Sequence, residues 1–217
     1  MKAARGRRHV VVTAGPTREH VDPVRYLSNE SSGRMGFELA RAAAQRGWRV
    51  TLISGPVALE TPAGVRRVDV VSAREMLAAA RTAFRGADAL FMAAAVADWR
   101  PRRRLAGKWR AKDGGAATAS IELVRNPDVL ATVARGRGAR LAVGFALETA
   151  DGLRRARAKL ERKRLDYIVL NDDSALNASR ATVTILGRDG SLRRFENRSK
   201  PALARVLMDL AEDWEPR

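Results

Sequence analysis

The chain has 217 residues and no cysteine, and 41 Lys and Arg against 24 Asp and Glu give a net charge of +17. The length predicts a single domain, and 46% apolar residues suffice for a hydrophobic core. The composition excludes a disulfide scaffold, a thiolate metal site and a cysteine nucleophile. Because no apolar stretch approaches the roughly 18 residues that cross a membrane, and no signal peptide precedes the first strand-like segment, we expect a cytoplasmic protein with no membrane partner.

The positive charge raises the hypothesis of a nucleic-acid-binding module. Arg supplies 35 of the 41 cations, however, and these are spread over nearly every segment, while aromatic residues make up only 5% of the chain. Few side chains are therefore present for bases to stack on. We favour a solvated, Arg-rich surface and expect no specific nucleic-acid partner, and we keep the nucleic-acid-binding module as the alternative.

Short apolar runs alternate with helical patterns along the chain. Strands are predicted at 9–14, 49–53, 67–71, 89–95, 141–145 and 166–170, and helices at 35–46, 73–84, 127–134, 151–164 and 201–211, with Ser72 capping the second helix. Residues 182–186 and 192–195 flank a glycine-containing turn and predict a C-terminal β-hairpin. Strands separated by helices of this length predict an α/β fold with a doubly wound, mostly parallel, Rossmann-like sheet.

Residues 100–118 break this alternation. They contain Pro101, Gly107, Gly114 and Gly115 together with many cations. Loops of this length inside a compact domain often act as lids, so the segment predicts a long, mobile basic loop.

In a doubly wound sheet, ligands bind beyond the carboxyl ends of the strands. The first strand runs into Gly15, and small residues open the first helix, where backbone N–H groups at the positive helix end suit a phosphate. An ordinary N-cap by Ser31 or Ser32 is an equally good interpretation. Neither a G-x-G-x-x-G fingerprint nor a Walker A loop is present.

Two further strand ends hold candidate ligand-binding residues. Asp98 follows the small residues Ala94 and Ala95 and either binds a ligand hydroxyl or amide or forms an Asx-turn. Phe145 lies at the end of the fifth strand, where it either faces the crevice or packs in the core.

Lysine is rare in this chain, and five of its six lysines are Lys108, Lys112, Lys159, Lys163 and Lys200. Lysine is a compact, flexible charge that can follow a phosphate through a reaction, although chance surface placement is the alternative. The only histidines are His9 and His20, both near the N-terminus, which makes a His-based triad or zinc site improbable. Electrostatic catalysis of nucleotidyl transfer fits the residues that are present.

The segments that carry a resemblance follow in order along almost the whole chain: 13–19, 22–29, 31–36, 94–101, Lys108, 126–128, 143–146, 148–149, 159–160, Lys163, 171–172 and 199–200. In these segments the sequence resembles the phosphopantothenate–cysteine ligase family. The resemblance implies one ligase domain over 1–217 that joins 4'-phosphopantothenate to cysteine in coenzyme A biosynthesis. It implies CTP with Mg²⁺, an acyl-cytidylate intermediate, and release of pyrophosphate and CMP.

The resemblance also implies roles for individual residues. Lys108 would stabilise charge on the reacting phosphate, and Asn29 would hold the activated acyl group. Arg25 would bind phosphopantothenate, with a homodimer interface as one route to it. Ala94, Ala95 and Asp98 would line the place where the substrates meet. The implied nucleotide-binding residues are Gly15, Ser31, Ser32, Gly33, Arg34, Met35, Asp98, Lys108, Asn126, Pro127, Asp128, Val129, Leu130, Phe145, Lys159 and Lys163.

The chain departs from the family pattern at three places. Arg34 replaces a lysine of the family, and the family's lysine-rich loop becomes Lys108-Trp109-Arg110-Ala111 with Lys112 one position later. Many bacterial members also carry an N-terminal flavin-dependent decarboxylase domain, for which the eight residues before the first strand leave no room. We therefore expect a monofunctional form or an excised domain, and a separate decarboxylase. The spacing is of the bacterial type and favours CTP, while ATP remains the alternative.

Overall fold

The computed structural model describes residues 8–110, 118–147, 151–171 and 179–215. The strands are β1 (His9–Ala14), β2 (Arg18–His20), β3 (Tyr26–Ser28), β4 (Arg49–Ser54), β5 (Val65–Asp69), β6 (Ala89–Met92), β7 (Trp99–Pro101), β8 (Leu123–Arg125), β9 (Leu141–Leu147), β10 (Tyr167–Asn171), β11 (Arg180–Gly187) and β12 (Leu192–Ser199). The helices are α1 (Arg34–Gln45), α2 (Ala73–Phe84), α3 (Val129–Arg135), α4 (Gly152–Arg162) and α5 (Lys200–Asp213). None of these helices is long and apolar enough to cross a membrane.

Eight strands form one sheet in the order β12-β11-β10-β9-β6-β1-β4-β5. The six strands from β10 to β5 are parallel, and the hairpin of β11 and β12 adds two antiparallel strands beyond β10. The strand order is that of the dinucleotide-binding Rossmann fold, with the first strand at the centre. The predicted fold class and the C-terminal hairpin are therefore confirmed.

Helices cover both faces of the sheet. On one face α1 and α5 pack through Phe37, Leu39, Leu203, Leu207 and other apolar residues onto the strands. On the other face α2, α3 and α4 form a second apolar cluster. Strands buried on both faces read as continuous apolar runs, as β1 and β6 do, because neither side meets water.

Most element boundaries differ from the predictions by one to four residues, and three of the differences bear on the site. Strand β5 lies two residues before the predicted 67–71, and β6 ends at Met92 instead of residue 95. Helix α3 begins at Val129 because the Asp128 carboxylate caps it, accepting a hydrogen bond of 2.9 Å from the Ala131 N–H. Pro127 therefore precedes this helix and does not lie in its first turn.

Two small antiparallel hairpins were not predicted. Strands β2 and β3 pair with each other, as do β7 and β8, and each strand has three residues, too few for an alternating pattern to be visible. Strand β7 contains residues 100–101, so the predicted loop begins later than expected. Residues 111–117 of that loop lie outside the described residues.

Helix α1 approaches the first strand very closely at Gly36. A Cβ atom at this position would lie 2.5 Å from the Cβ of Ala14 and 2.9 Å from the carbonyl oxygen of Thr13. Only a residue without a side chain permits this approach, because packed interiors have no room to absorb such overlap. The start of α1 is thereby brought to the carboxyl end of β1.

Asp22 connects the β2–β3 hairpin to the segment that follows β7. It has no exposed surface, and its Oδ1 accepts hydrogen bonds of 2.7 Å from the N–H groups of Val24 and Arg25. Its Oδ2 accepts a bond of 3.0 Å from the N–H of Trp109, and the N–H of Leu105 donates to the Val21 carbonyl. Residues 105–109 are therefore held against the hairpin.

The pKa of Asp22 lies below the usual aspartate value. Burial alone would raise it, but the hydrogen bonds from the N–H groups of Trp109, Val24 and Arg25 and the charge of Arg25 outweigh burial. A group with a lowered folded pKa stabilises the fold fully above its unfolded pKa, and this stabilisation is lost as pH falls through the lower folded value.

We predict that Asp22→Asn releases the 105–109 segment selectively. The amide keeps one oxygen for Val24 and Arg25, but its NH₂ group cannot accept from Trp109. Hydrogen exchange at Trp109 should accelerate by about tenfold, because its N–H loses a charged acceptor. Exchange in β9 should not change. Asp213→Asn, at an exposed position at the end of α5, is the matched control, and unchanged protection of Trp109 in Asp22→Asn would contradict the assignment.

Candidate active site

The crevice for a ligand lies where the strand order reverses, between β1 and β6. A parallel bridge between Pro16 and Ala95 extends these two strands beyond their ends. The N–H of Ala95 donates to the Gly15 carbonyl at 2.9 Å, and the N–H of Thr17 donates to the Ala95 carbonyl at 3.2 Å. The hydroxyl oxygens of two buried threonines, Thr13 and Thr17, accept hydrogen bonds from the N–H groups of Ala94 and Ala97. The loop after β6 is thereby held in one conformation.

A cavity of about 430 Å³ opens beside this loop. Ten of the residues predicted to bind substrate or nucleotide line it: Ala94, Asp98, Asn126, Pro127, Asp128, Val129, Leu130, Phe145, Lys159 and Lys163. They come from the segments after β6 and β8, from the start of α3, from β9 and from the end of α4. The fold therefore brings together one cluster that the sequence distributes over 70 positions, from 94 to 163.

The lysine pair of α4 faces this cavity. Lys159 Nζ donates to the Phe145 carbonyl at 2.7 Å, and Lys163 Nζ lies 2.8 Å from Asp128 Oδ2 and 3.0 Å from Oδ1. The spacing of four residues places both ammonium groups on one side of the helix, as predicted. Both are thus held at the cavity wall by defined acceptors.

Asp128 has a lowered pKa for a related reason. Burial would raise it, but the hydrogen bond from Lys163, the bond from the Ala131 N–H and the charges of Lys163 and Lys159 more than compensate. The carboxylate stays ionised at neutral pH, and it links the start of α3 to the end of α4.

Asn126 and Asn29 hold the loop after β6 from two sides. Asn126 Nδ2 donates to the Ala97 carbonyl at 2.8 Å, and its backbone N–H donates to the Asp98 carbonyl at 2.8 Å. Asn29 Nδ2 donates to the Val96 carbonyl at 3.1 Å. The Asp98 side chain is exposed and has no hydrogen-bonding partner among the described residues, so the Asx-turn interpretation is wrong. Its carboxylate is available to a ligand.

The start of α1 meets the end of β1 through two glycines. Gly15 and Gly33 have φ of 72° and 74°, and a Cβ on Gly33 would lie 3.3 Å from the backbone nitrogen of Gly15. Gly33 itself is the N-cap, and no side chain caps the helix, so the interpretation of Ser31 or Ser32 as an N-cap is wrong. Ser31 Oγ accepts a bond of 3.3 Å from the Gly33 N–H instead. Arg34 is exposed, and Met35 packs partly against the core.

Ten predicted residues do not line the cavity: Gly15, Arg25, Asn29, Ser31, Ser32, Gly33, Arg34, Met35, Ala95 and Lys108. Arg25 lies 3.7 Å from the buried Asp22 carboxylate, and Lys108 precedes the Trp109 whose N–H the same carboxylate accepts. Lys108 is exposed and has no ion pair or hydrogen bond within the part of the chain that the structure describes. Asp22 therefore joins the segment that carries Arg25 to the segment that carries Lys108, and neither residue lines the cavity. Lys112, Glu148, Thr149 and Asp172 lie outside the described residues.

The sequence reasoning did not assign a role to several residues of the site. Trp99 lines the cavity while 45% exposed, and the Arg125 guanidinium lies 5.3 Å from its ring centre. The sequence offered one signal for Trp99: it directly follows Asp98, in a chain that has only four tryptophans. Asp22 lies in the 22–29 segment of the resemblance, but its hydrogen bond with Trp109 joins residues 87 positions apart. Such a contact leaves no local pattern in the sequence. No group of three His, Cys, Asp or Glu side chains that could hold a metal occurs in the described ranges.

Comparison with known proteins places the chain in a family. Residues 5–214 match the family model described as "DNA/pantothenate metabolism flavoprotein C-terminal domain". The coenzyme A biosynthesis bifunctional protein CoaBC of Vibrio cholerae is 45% identical over 211 residues, which cover 95% of this chain and 52% of that protein. The chain thus spans about half the length of the curated relatives it matches.

Solved structures agree with this result. The crystal structure of the C-terminal domain of CoaBC has a TM-score of 0.81 and 36% identity, covering 96% of this chain and 95% of that one. A mutant of Cab2 in complex with phosphopantothenate-cysteine, 15% identical with a TM-score of 0.76, covers 95% of this chain and 87% of that chain and has the same fold. The chain therefore belongs to the DNA/pantothenate metabolism flavoprotein C-terminal domain family, as the resemblance in its sequence indicates.

Proposed function

We propose that the chain is a ligase of coenzyme A biosynthesis that joins 4'-phosphopantothenate to cysteine at the expense of CTP. The observation that carries the proposal is the cavity at the reversal of strand order, where Lys159, Lys163 and Asp98 converge beside the backbone of the β6 loop. A cleft lined by cations and placed backbone groups suits a nucleotide. The family relatives are themselves coenzyme A biosynthesis proteins.

The reaction proceeds in two transfers. The carboxylate of phosphopantothenate attacks the α-phosphorus of CTP, an O–P bond forms, and pyrophosphate leaves with its electron pair. The amine of cysteine then attacks the acyl carbon of the cytidylate, forms the amide, loses a proton and releases CMP. Neither step requires a covalent bond to the protein, so positioning and charge stabilisation supply the catalysis.

Each part of the site has a task in this scheme. Lys159 and Lys163, fixed at the wall by Phe145 and Asp128, would bind the nucleotide. Lys108, unpaired among the described residues, would neutralise charge that develops on the α-phosphate. Asn29, held at the Val96 carbonyl, would hold the acyl group for attack by cysteine. Ala94 and Ala95 leave the backbone accessible where the substrates meet.

Mg²⁺ would enter with the nucleotide. This ion keeps several waters and binds proteins through one or two carboxylates together with substrate phosphates. The exposed Asp98 carboxylate at the cavity fits that pattern, and a resident metal cage is not needed. When bound, the ion neutralises phosphate charge.

A homodimer is part of the proposal, because Arg25 projects from a surface with exposed apolar side chains. Val24 and Tyr26 are 60% and 42% exposed on the β2–β3 hairpin, and Leu123 is 40% exposed on β8. Covering such a surface with a second copy would bring Arg25 to the neighbouring site. A monomer in analytical ultracentrifugation at assay concentrations would contradict this part of the proposal.

The ligase assignment is tested by following the two leaving groups separately. Pyrophosphate should appear only when CTP and phosphopantothenate are both present, and CMP should appear only after cysteine is added. A parallel series with ATP identifies the nucleotide. Tight, strongly salt-dependent duplex DNA binding without pyrophosphate release would instead favour the nucleic-acid-binding module.

We predict that Lys108→Gln lowers the rate of pyrophosphate release by about 10²–10³-fold, the usual cost of removing one group that stabilises transition-state charge. The affinity for CTP should change much less, because Lys159 and Lys163 remain. Arg103→Gln, an exposed cation of the same segment, is the matched control. Normal pyrophosphate release by Lys108→Gln would remove Lys108 from the mechanism.

A further inference from the structure

Helices α1 and α5 lie side by side and run in the same direction. Strand β12 follows two antiparallel pairings after β10, so it points the same way as the parallel strands, and α5 begins at the same sheet edge as α1. Near the other end, Arg46 at the end of α1 pairs with Asp209 and, at 3.2 Å, with Glu212 of α5. The two helix N-termini are therefore neighbours at the carboxyl edge of the sheet, where the site lies.

Neither N-terminus has a side-chain cap, although at α5 the Lys200 N–H donates to the Ser179 carbonyl at 3.2 Å and Pro201 has no N–H. Gly33 caps α1 and Ser199 caps α5, but neither helix receives a capping hydrogen bond from a side chain or has an acidic residue in its first turn. Helix α2, in contrast, is capped by Ser72 and carries Glu75 in its first turn. Each helix start bears about half a positive charge, and in α1 and α5 these charges lie together.

The first residue of each helix adds a full positive charge to this place. Arg34 begins α1 and Lys200 begins α5. Helical side chains tilt toward the N-terminus, so both side chains project beyond the helix starts. Lys200 is only 9% exposed, and its side chain has no hydrogen bond or ion pair with any of the described residues.

This arrangement is electrostatically unfavourable as it stands. Burial lowers the pKa of Lys200, and the nearby charge of Arg34 lowers it further. A buried ammonium that has no carboxylate partner among the described residues, beside a guanidinium and two helix N-termini, destabilises the fold. The same groups become favourable once an anion lies among them.

We infer that Lys200 is a further phosphate-binding residue, which α5 adds to the N-terminus of α1 and Arg34, already implied to bind the nucleotide. The site is continuous with the crevice, because the Gly33 that begins α1 lies against Gly15 at the end of β1. Its ligand is a phosphate group, carried by the nucleoside triphosphate or by the phosphorylated acid. The choice between these two carriers rests on the proposed function, while the anion site itself does not. Lys200 is thus a substrate-binding residue that the C-terminal hairpin delivers to the carboxyl edge of the sheet.

The test measures binding in the absence of turnover, by titration calorimetry with inorganic pyrophosphate, CTP and 4'-phosphopantothenate separately. Lys200→Met should weaken binding of pyrophosphate and of one substrate by about 10–100-fold, and Lys200→Arg should restore part of it. The substrate that loses affinity identifies the carrier of the phosphate. Arg205→Met, an exposed cation of α5, removes the same charge and should bind all three as the wild type does.

A second readout separates binding from a structural role. Without ligand, Lys200→Met should melt at the same or a higher temperature than the wild type, because an unpaired buried charge is removed. With pyrophosphate, its thermal stabilisation should be smaller than that of the wild type. A purely structural Lys200 would instead lower the melting temperature without ligand.

The exposed Arg34 keeps the test valid if Lys200→Met does not fold. Arg34→Met should weaken pyrophosphate binding in the same range. Wild-type affinity for pyrophosphate and both substrates in these variants would overturn the inference. If the wild-type protein has no ligase activity, the proposed function alone is overturned, since pyrophosphate binding is measured independently.

Discussion

The close approach of α1 to β1 at Gly36 determines where the polar groups of the site lie. With no side chain at this position, the helix descends onto the strand until its first turn meets the strand's carboxyl end. Gly33 then lies against Gly15, and the neighbouring Pro16 pairs with Ala95 across the reversal of strand order. The loop after β6, which lines the cavity, is hydrogen-bonded to this junction. A larger residue at Gly36 would displace all of these contacts together, because packed interiors transmit displacement.

A few carboxylates give the many cations of this chain their specific positions. Asp128 orients Lys163, and Asp22 holds Arg25 together with the segment that carries Lys108. Both aspartates have lowered pKa values because hydrogen-bond donors and nearby positive charge stabilise their ionised forms. In a chain of net charge +17, these cations near the crevice are therefore positioned by acidic or backbone neighbours.

The sequence predicted those features that repeat along the chain or recur at strand ends. Buried strands such as β1 have continuous apolar runs, and a sheet of this type places its ligands at one edge, so Asp98 was expected beside the crevice. The structure places Asp98 in the cavity lining, together with Asn126, which only the family resemblance had implied. Three-residue strands carry no periodic signal, which is why the β2–β3 and β7–β8 hairpins were missed. Asp22 was missed as an anchor because its partner Trp109 is distant in sequence. Lys200 and Arg34 lie close together because α1 and α5 pack side by side in the folded chain. No local sequence pattern predicts this packing.

The anchoring of residues 105 and 109 also has a consequence for the entropy of the proposed reaction. Between β7 and β8 the chain runs from residue 102 to residue 122, and a free loop of this length would let Lys108 sample a large volume. Hydrogen bonds from the N–H groups of Leu105 and Trp109 to Val21 and Asp22 fix the chain on both sides of Lys108. The backbone of Lys108 is therefore restricted to a small region before any substrate binds. The backbone freedom of this lysine is consequently reduced during folding, so that under the proposed function less of the nucleotide's binding free energy is needed to position it.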